Sequence, residues 1–146
     1  MELSYRLALA FLGPDDILVL EKAKGTVQRI VNGNIEDKPL LDVPVNYAGD
    51  RGMLGIAVTK NKNLSSTNVF LYFTESLTEK DTYNITEDSS NRLYKYELID
   101  NKLINKIQLM NNMRIVTAQL GYYTHMYQFL KSVTVKIWGL IDTRSY

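Results

Sequence analysis

Turn signals recur so closely along the first part of this chain that only short strands fit between them. Gly13-Pro14-Asp15-Asp16, Ala23-Lys24-Gly25, Asn32-Gly33 and Asp100-Asn101 each bound a short apolar run. Asn-Gly supplies the two positive φ values of a type I′ hairpin at little steric cost. Arg6 to Leu12 forms a first run, and Ile17-Leu18-Val19-Leu20 is apolar on both faces, as expected of a central buried strand. Thr26 to Val31 is rich in β-branched residues. Pro39-Leu40-Leu41-Asp42-Val43 fits a fourth strand, with Pro39 first, where a missing N–H is tolerated. No window before residue 110 carries the i, i+3, i+4, i+7 stripe of an amphipathic helix.

The pattern then begins again. Met53 to Thr59 reads as a buried strand in which Gly55 and Ala57 leave room for close backbone approach. Asn68 to Thr74 is apolar on both faces through Val69-Phe70-Leu71-Tyr72-Phe73. Asn91 to Leu98 alternates, with Tyr94, Tyr96 and Leu98 on one face and Lys95 and Glu97 on the other. Lys102 to Leu109 follows the Asp100-Asn101 turn, and the polar stretch Ser76 to Ser90 is a surface loop. Two successive groups of four short strands, each about 40–50 residues long, match the blades of a β-propeller. Two blades are too few to close a ring. The expected fold is therefore all-β: a partial β-propeller of about two four-stranded blades over residues 1–109, and an irregular C-terminal tail over 110–146. In that tail only Val133 to Trp138 alternates well enough for a strand.

Composition narrows the function classes. A balance of 17 basic and 16 acidic side chains leaves no electrostatic footprint for nucleic acid or an anionic membrane. Met1 to Phe11 carries Glu2 and Arg6 in a short apolar stretch, so neither a signal peptide nor a membrane span is expected there. The chain has no Cys, which removes disulfides and thiolate chemistry, and one His, which removes His-cluster metal sites. The two sequons, at Asn63 and Asn84, are of a kind that arises often by chance.

No nucleophile motif, Walker loop or dinucleotide glycine fingerprint occurs. His125 sits in Tyr-Thr-His-Met-Tyr with no acid nearby in sequence, and a packed or exposed role suits it better than catalysis. Carboxylates that a hard cation could use are Asp81, Glu87 and Asp88, or Asp15 and Asp16, but no EF-hand spacing is present and no metal ligand is assigned. The tyrosines at strand positions, Tyr72, Tyr94 and Tyr96, are expected in blade packing rather than as a stacking platform. Asp50-Arg51, flanked by Gly49 and Gly52, has two readings of equal standing. It is either a loop that the glycines bend into the sheet, or an acid–base pair presented at the rim of a rigid scaffold.

Three stretches together resemble the soluble glucose/sorbosone dehydrogenase family, especially its aldose sugar dehydrogenase-like members. They are Leu9 to Lys22, then Asp50-Arg51-Gly52-Met53-Leu54-Gly55-Ile56-Ala57, then Asn91-Arg92-Leu93-Tyr94-Lys95-Tyr96. The second is similar to a Glu/Gln-x-Gly-Leu-Leu-Gly motif and the third to an Asn-Arg-Leu-x-Arg-Tyr/Phe strand. The likeness covers residues 7–109. It implies a six-bladed propeller, usually extracytoplasmic, that uses pyrroloquinoline quinone (PQQ) and calcium to oxidise a sugar substrate. A His in a His-Asn-Gly-Gly motif takes the hydroxyl proton as hydride passes to the quinone. By position, Asp50 and its neighbour Arg51 fall at the substrate and cofactor rim. After Leu109 the His-Asn-Gly-Gly motif does not follow, so the base is not carried to His125 and no catalytic residue is assigned.

The resemblance implies a truncated or frame-shifted relative that is inactive alone, with PQQ and calcium binding implied by the family rather than by these residues. The alternative is a non-enzymatic propeller module for binding or assembly. A weaker third reading is an oxidoreductase assembled from several chains. Exposed strand edges make self-association an expectation in each case.

Overall fold

The structure is a computed structural model that describes residues 8–60 and 65–113. The tail from residue 114, with His125 and the strand expected at Val133 to Trp138, lies outside the described residues, as does Asn63. The described residues form strands, turns and loops without a helix. Nine strands run in the order β1 (Leu9–Gly13), β2 (Asp16–Glu21), β3 (Thr26–Val31), β4 (Asn34–Ile35), β5 (Leu41–Asp42), β6 (Met53–Lys60), β7 (Thr67–Thr74), β8 (Asn91–Ile99) and β9 (Lys102–Met113). They make two antiparallel sheets that do not close on each other. The all-β architecture of two blade-like sheets matches the sequence expectation.

The first sheet is ordered β1-β2-β3-β4, with β5 also paired to β3. Asn32 and Gly33 take φ values of 50° and 78°, the left-handed pair of a type I′ turn, and set Val31 opposite Asn34. The fourth strand expected at Pro39 to Val43 is present only as the two-residue β5, and a further short strand, β4, pairs with β3 ahead of it. Glu36 N donates to Arg29 O at 2.9 Å and Leu40 N to Val27 O at 2.8 Å, so the chain bows away between them and returns to the same edge. Pro39 sits in this bow, where its missing N–H leaves no gap in a ladder.

The second sheet is ordered β6-β7-β8-β9. Leu71, Tyr94 and Ile56 share one cross-strand row, and Val69, Tyr96 and Val58 the next. Asp100 and Asn101, with φ of 48° and 59°, form a second left-handed pair that sends the chain into β9. That strand runs to Met113, past the Leu109 at which the sequence pattern ends. A left-handed residue at Asn105 (φ 54°) accompanies the register shift between Lys95 and Glu97.

One core joins the two sheets. Leu18, Leu20 and Val27 from the first sheet meet Val69, Leu71, Phe73, Tyr94 and Tyr96 from the second, and Leu40, Val45, Met53 and Leu103 complete the cluster. Burial of these side chains, each contributing about 1.5–3 kcal/mol, holds the sheets together. Backbone bonds span the join as well: Met53 N donates to Lys22 O and Leu103 N to Leu40 O, both at 3.0 Å. Tyr72, Tyr94 and Tyr96 are all buried, as their strand positions imply.

The run Ile17-Leu18-Val19-Leu20 departs from expectation on one face. Leu18 and Leu20 are fully enclosed, whereas Ile17 and Val19 are only half-buried. Register places Phe11, Ile17, Ile30 and Ile35 in one row across four strands of that other face. Phe11 is 61% exposed and Ile35 42%, so this sheet has two apolar faces and only one of them is enclosed.

Candidate functional site

The link between the sheets, residues 43 to 52, and the loop between β7 and β8 build one polar cluster. The linker begins with Val45 paired to Glu75 and Asn46 bridged to Thr82. Tyr47 N donates to Thr82 O at 2.9 Å, and Thr82 N to Val45 O at 2.9 Å. Val45 N also donates to an Asp81 carboxylate oxygen at 3.0 Å. The loop that looks structureless in sequence is therefore fastened along its length.

Asn46 is the centre of that fastening and is fully buried. Its Nδ2 donates to Asn84 O at 2.8 Å, to Glu87 Oε2 at 2.6 Å and to Ser89 Oγ at 3.0 Å. Its Oδ1 accepts from Ala48 N at 3.1 Å. Glu87 is held in turn by the Ser89 hydroxyl and by Leu77 N at 3.2 Å. Burial pushes the Glu87 carboxyl up. The hydrogen bonds from Ser89, Asn46 and Leu77 N and the charge of Arg51 outweigh that and leave it below the ordinary carboxylate value.

Sequence reasoning singled out Asp50 and Arg51, and the structure places them at adjacent positions with different surroundings. Arg51 turns toward the loop. Its Nη1 donates to Asn84 O at 3.0 Å and Glu87 O at 2.9 Å, and its Nη2 to Ile85 O at 3.4 Å. A guanidinium suits this task because its planar fork reaches several carbonyls at once. Asp50 is exposed in the turn closed by Arg51 N to Ala48 O at 3.1 Å, and has no hydrogen bond or ion pair among the described residues. Gly52 takes φ 120° where the linker crosses the first sheet. A Cβ there would lie 2.5 Å from Lys22 O, so the motif's glycine is fixed by close packing.

Asn46 and the loop carbonyls were missed from sequence. The only local signal was an Asn between two apolar residues, Val45 and Tyr47. Its partners Asn84, Glu87 and Ser89 lie far along the chain. We expect Asn46→Ala to cost about 2–3 kcal/mol, because it strands the buried Ala48 N and removes the bonds from Asn46 Nδ2 to Asn84 O, Glu87 Oε2 and Ser89 Oγ. Urea unfolding measures the loss, and amide exchange should rise first across residues 77–88.

A second cluster lies beside the first. Glu75 accepts from Arg92 Nη1, from Tyr94 OH at 3.1 Å and from Lys106 Nζ at 3.3 Å, and the Lys106 ammonium sits 4.1 Å from the centroid of the Tyr94 ring. The hydrogen bond to Tyr94, opposed by burial and helped by the Glu75 charge, raises the Arg92 pKa. Burial, with the charges of Tyr94 and Glu75, also raises that of the Tyr96 phenol, whose hydroxyl has no partner among the described residues. In the first sheet, the hydrogen bond from Arg29 lowers Asp16 against the cost of its burial. For Glu21, burial pushes the value up, and hydrogen bonds from Thr26, Lys24 and Gln28 bring it below normal.

These directions set an acid limit. Asp16, Glu21 and Glu87 all titrate below their unfolded values of 3.8, 4.5 and 4.5. The stability they contribute is complete above those values and is lost as pH falls through the lower, folded ones. The unfolding midpoint should therefore be flat from neutral pH down to about 5 and fall below about 4. Glu87→Gln should make the fall shallower.

Among the described residues no three His, Cys, Asp or Glu side chains converge as metal ligands. Asp81 and Glu87, candidate carboxylates by sequence, both serve the loop's own hydrogen bonds. What the cluster offers is a prefolded surface: a fastened loop, an open carboxylate at Asp50 and a pair of aromatic rings at Tyr47 and Tyr83.

No family model matches the chain, and no curated protein matches it. Solved structures do. A crystal structure of glucose dehydrogenase superposes with a TM-score of 0.55 at 18% identity, covering 71% of this chain and 29% of that one. A second glucose dehydrogenase gives 0.56 at 19% identity, covering 71% of this chain and 31% of its own. The chain thus spans less than a third of the length of these neighbours, and over most of its own length it has a fold of the glucose dehydrogenase kind.

Proposed function

We propose that this chain corresponds to two blades of the PQQ-dependent aldose dehydrogenases of the soluble glucose/sorbosone dehydrogenase type. Residues 1–109 supply two adjacent propeller blades, and residues 110–146 are a divergent tail. The observation that carries the reading is the two-sheet likeness to glucose dehydrogenases over 71% of the chain. The three motif-like stretches fall on β1–β2, on the turn into β6 and on β8, in the order the family resemblance requires. In this reading Asp50 and Arg51 stand at the substrate rim. Arg51 shapes the rim through the loop carbonyls, and Asp50 faces a sugar hydroxyl.

The described residues do not supply a calcium donor set, and the 146 residues contain no His-Asn-Gly-Gly motif. The chain by itself should therefore turn over no sugar. The purified protein, given PQQ and calcium, should leave an acceptor dye unreduced in the presence of aldoses. Dye reduction above a boiled control would overturn the inactivity.

A second reading, a binding or assembly module, is favoured by the open apolar row Phe11, Ile17, Ile30 and Ile35. Concentration-dependent association in sedimentation, abolished by Phe11→Lys, would favour it over the first.

A further inference from the structure

Two tyrosines that the dehydrogenase reading does not use are set side by side by backbone pairing. The parallel bridge between Asn46 and Thr82 puts the next residue of each strand, Tyr47 and Tyr83, at matching positions. Their rings meet edge to face, with centroids 5.5 Å apart and planes at 62°. Tyr47 is half-buried. Tyr83 is 66% exposed, and neither phenol hydroxyl has a partner among the described residues. Leu77 and Ile85, on the same loop, are 65% and 71% exposed.

An exposed aromatic pair on a floppy loop would mean little. This loop is held by the Asn46 hub, by three carbonyls bound to Arg51, and by the Thr82 pairing that flanks Tyr83 directly. The backbone that carries the rings is thus held before any ligand arrives, which lowers the ordering cost to a ligand. The same linker presents the unpaired Asp50 carboxylate, three residues beyond Tyr47 in the turn from Ala48 to Arg51.

We propose that Tyr47, Tyr83 and Asp50 form a pyranose-binding platform on the rim. The axial C–H bonds of a sugar ring carry partial positive charge and lie against the negative face of a tyrosine. A carboxylate accepts two hydrogen bonds from adjacent hydroxyls on the ring's edge. A flat ring with equatorial hydroxyls satisfies both demands, and an open-chain polyol has no face to offer. This proposal rests on the sugar-dehydrogenase reading for its ligand class, but it requires neither quinone nor further blades.

Saturation-transfer NMR of the 146-residue chain with maltose, without quinone or calcium, tests it. Transfer should saturate with a dissociation constant on the order of millimolar and be strongest at the ring C–H protons. It should be lost in Tyr83→Ala, kept in Tyr83→Phe and weakened in Asp50→Asn. Because Tyr83 is exposed, Tyr83→Ala should unfold at the same temperature as the parent, which separates lost binding from lost folding. Equal transfer to sorbitol, transfer that survives Tyr83→Ala, or no saturable transfer at all would each overturn the platform. Those results would leave the two-blade reading standing, since contacts between the two sheets test that reading separately.

Discussion

Phe73→Ala should destabilise the protein by about 3–5 kcal/mol, the usual cost of emptying a fully enclosed aromatic site. Phe73 has no exposed surface and packs with its ring centroid 5.2 Å from that of Tyr94. It sits on β7, opposite Met53 on one side and Arg92 on the other, so its neighbours are tied into ladders and cannot collapse into the void. Phe73→Leu keeps most of the volume and should cost under about 1.5 kcal/mol. Denaturant titration of both variants separates volume from aromaticity. A loss below about 1 kcal/mol in Phe73→Ala would show that this position is not in a shared core.

Gly25→Ala should be worse still, at about 4 kcal/mol or more, because two costs coincide. Gly25 has φ 62°, which an L side chain adopts at a cost of roughly 1–2 kcal/mol. A Cβ there would also lie 1.9 Å from Val43 O and 3.0 Å from Val45 Cγ1. The first of those atoms is backbone, fixed by Val43 N donating to Gly25 O at 3.1 Å. Gly33→Ala is the matched comparison: φ is 78° and nothing lies within 4 Å of a Cβ. It should cost only about 1 kcal/mol. Equal losses at the two glycines, read from thermal unfolding, would mean that the β3–β5 approach is looser than the structure has it.

Features that depend on neighbours in sequence were legible before the fold was known. Asn32-Gly33 announces a left-handed turn and Asp100-Asn101 a turn by their own local preferences. Tyr94, Tyr96 and Leu98 reveal their shared face because strand periodicity is local. The all-β, two-blade reading follows from summing such signals. Features that depend on distant partners were not legible. The loop from Ser76 to Ser90 shows only polarity, and nothing in it marks that Asn84, Ile85 and Glu87 turn their carbonyls to Arg51. Asn46 looks like any linker Asn, since the hub it forms exists only once β7 and β8 have brought the loop back. The extra strand β4 and the shortness of β5 escaped for a similar reason. Pro39 is compatible with a strand start, and only the bow between Glu36 and Leu40 shows that pairing with β3 begins earlier, at β4, and resumes in β5. For the candidate site, sequence picked out Asp50 and Arg51 but not the loop that Arg51 holds, nor the Tyr47–Tyr83 pair.

The central claim is that two blade-like sheets, of five and four strands, share one core, as adjacent blades do. Methyl-to-methyl nuclear Overhauser contacts between the sheets test it most directly. The account predicts contacts from Leu18 and Leu20 of β2 to Val69 and Leu71 of β7, together with one cooperative unfolding transition for both sheets. Contacts confined within each sheet, with two separate transitions, would contradict it.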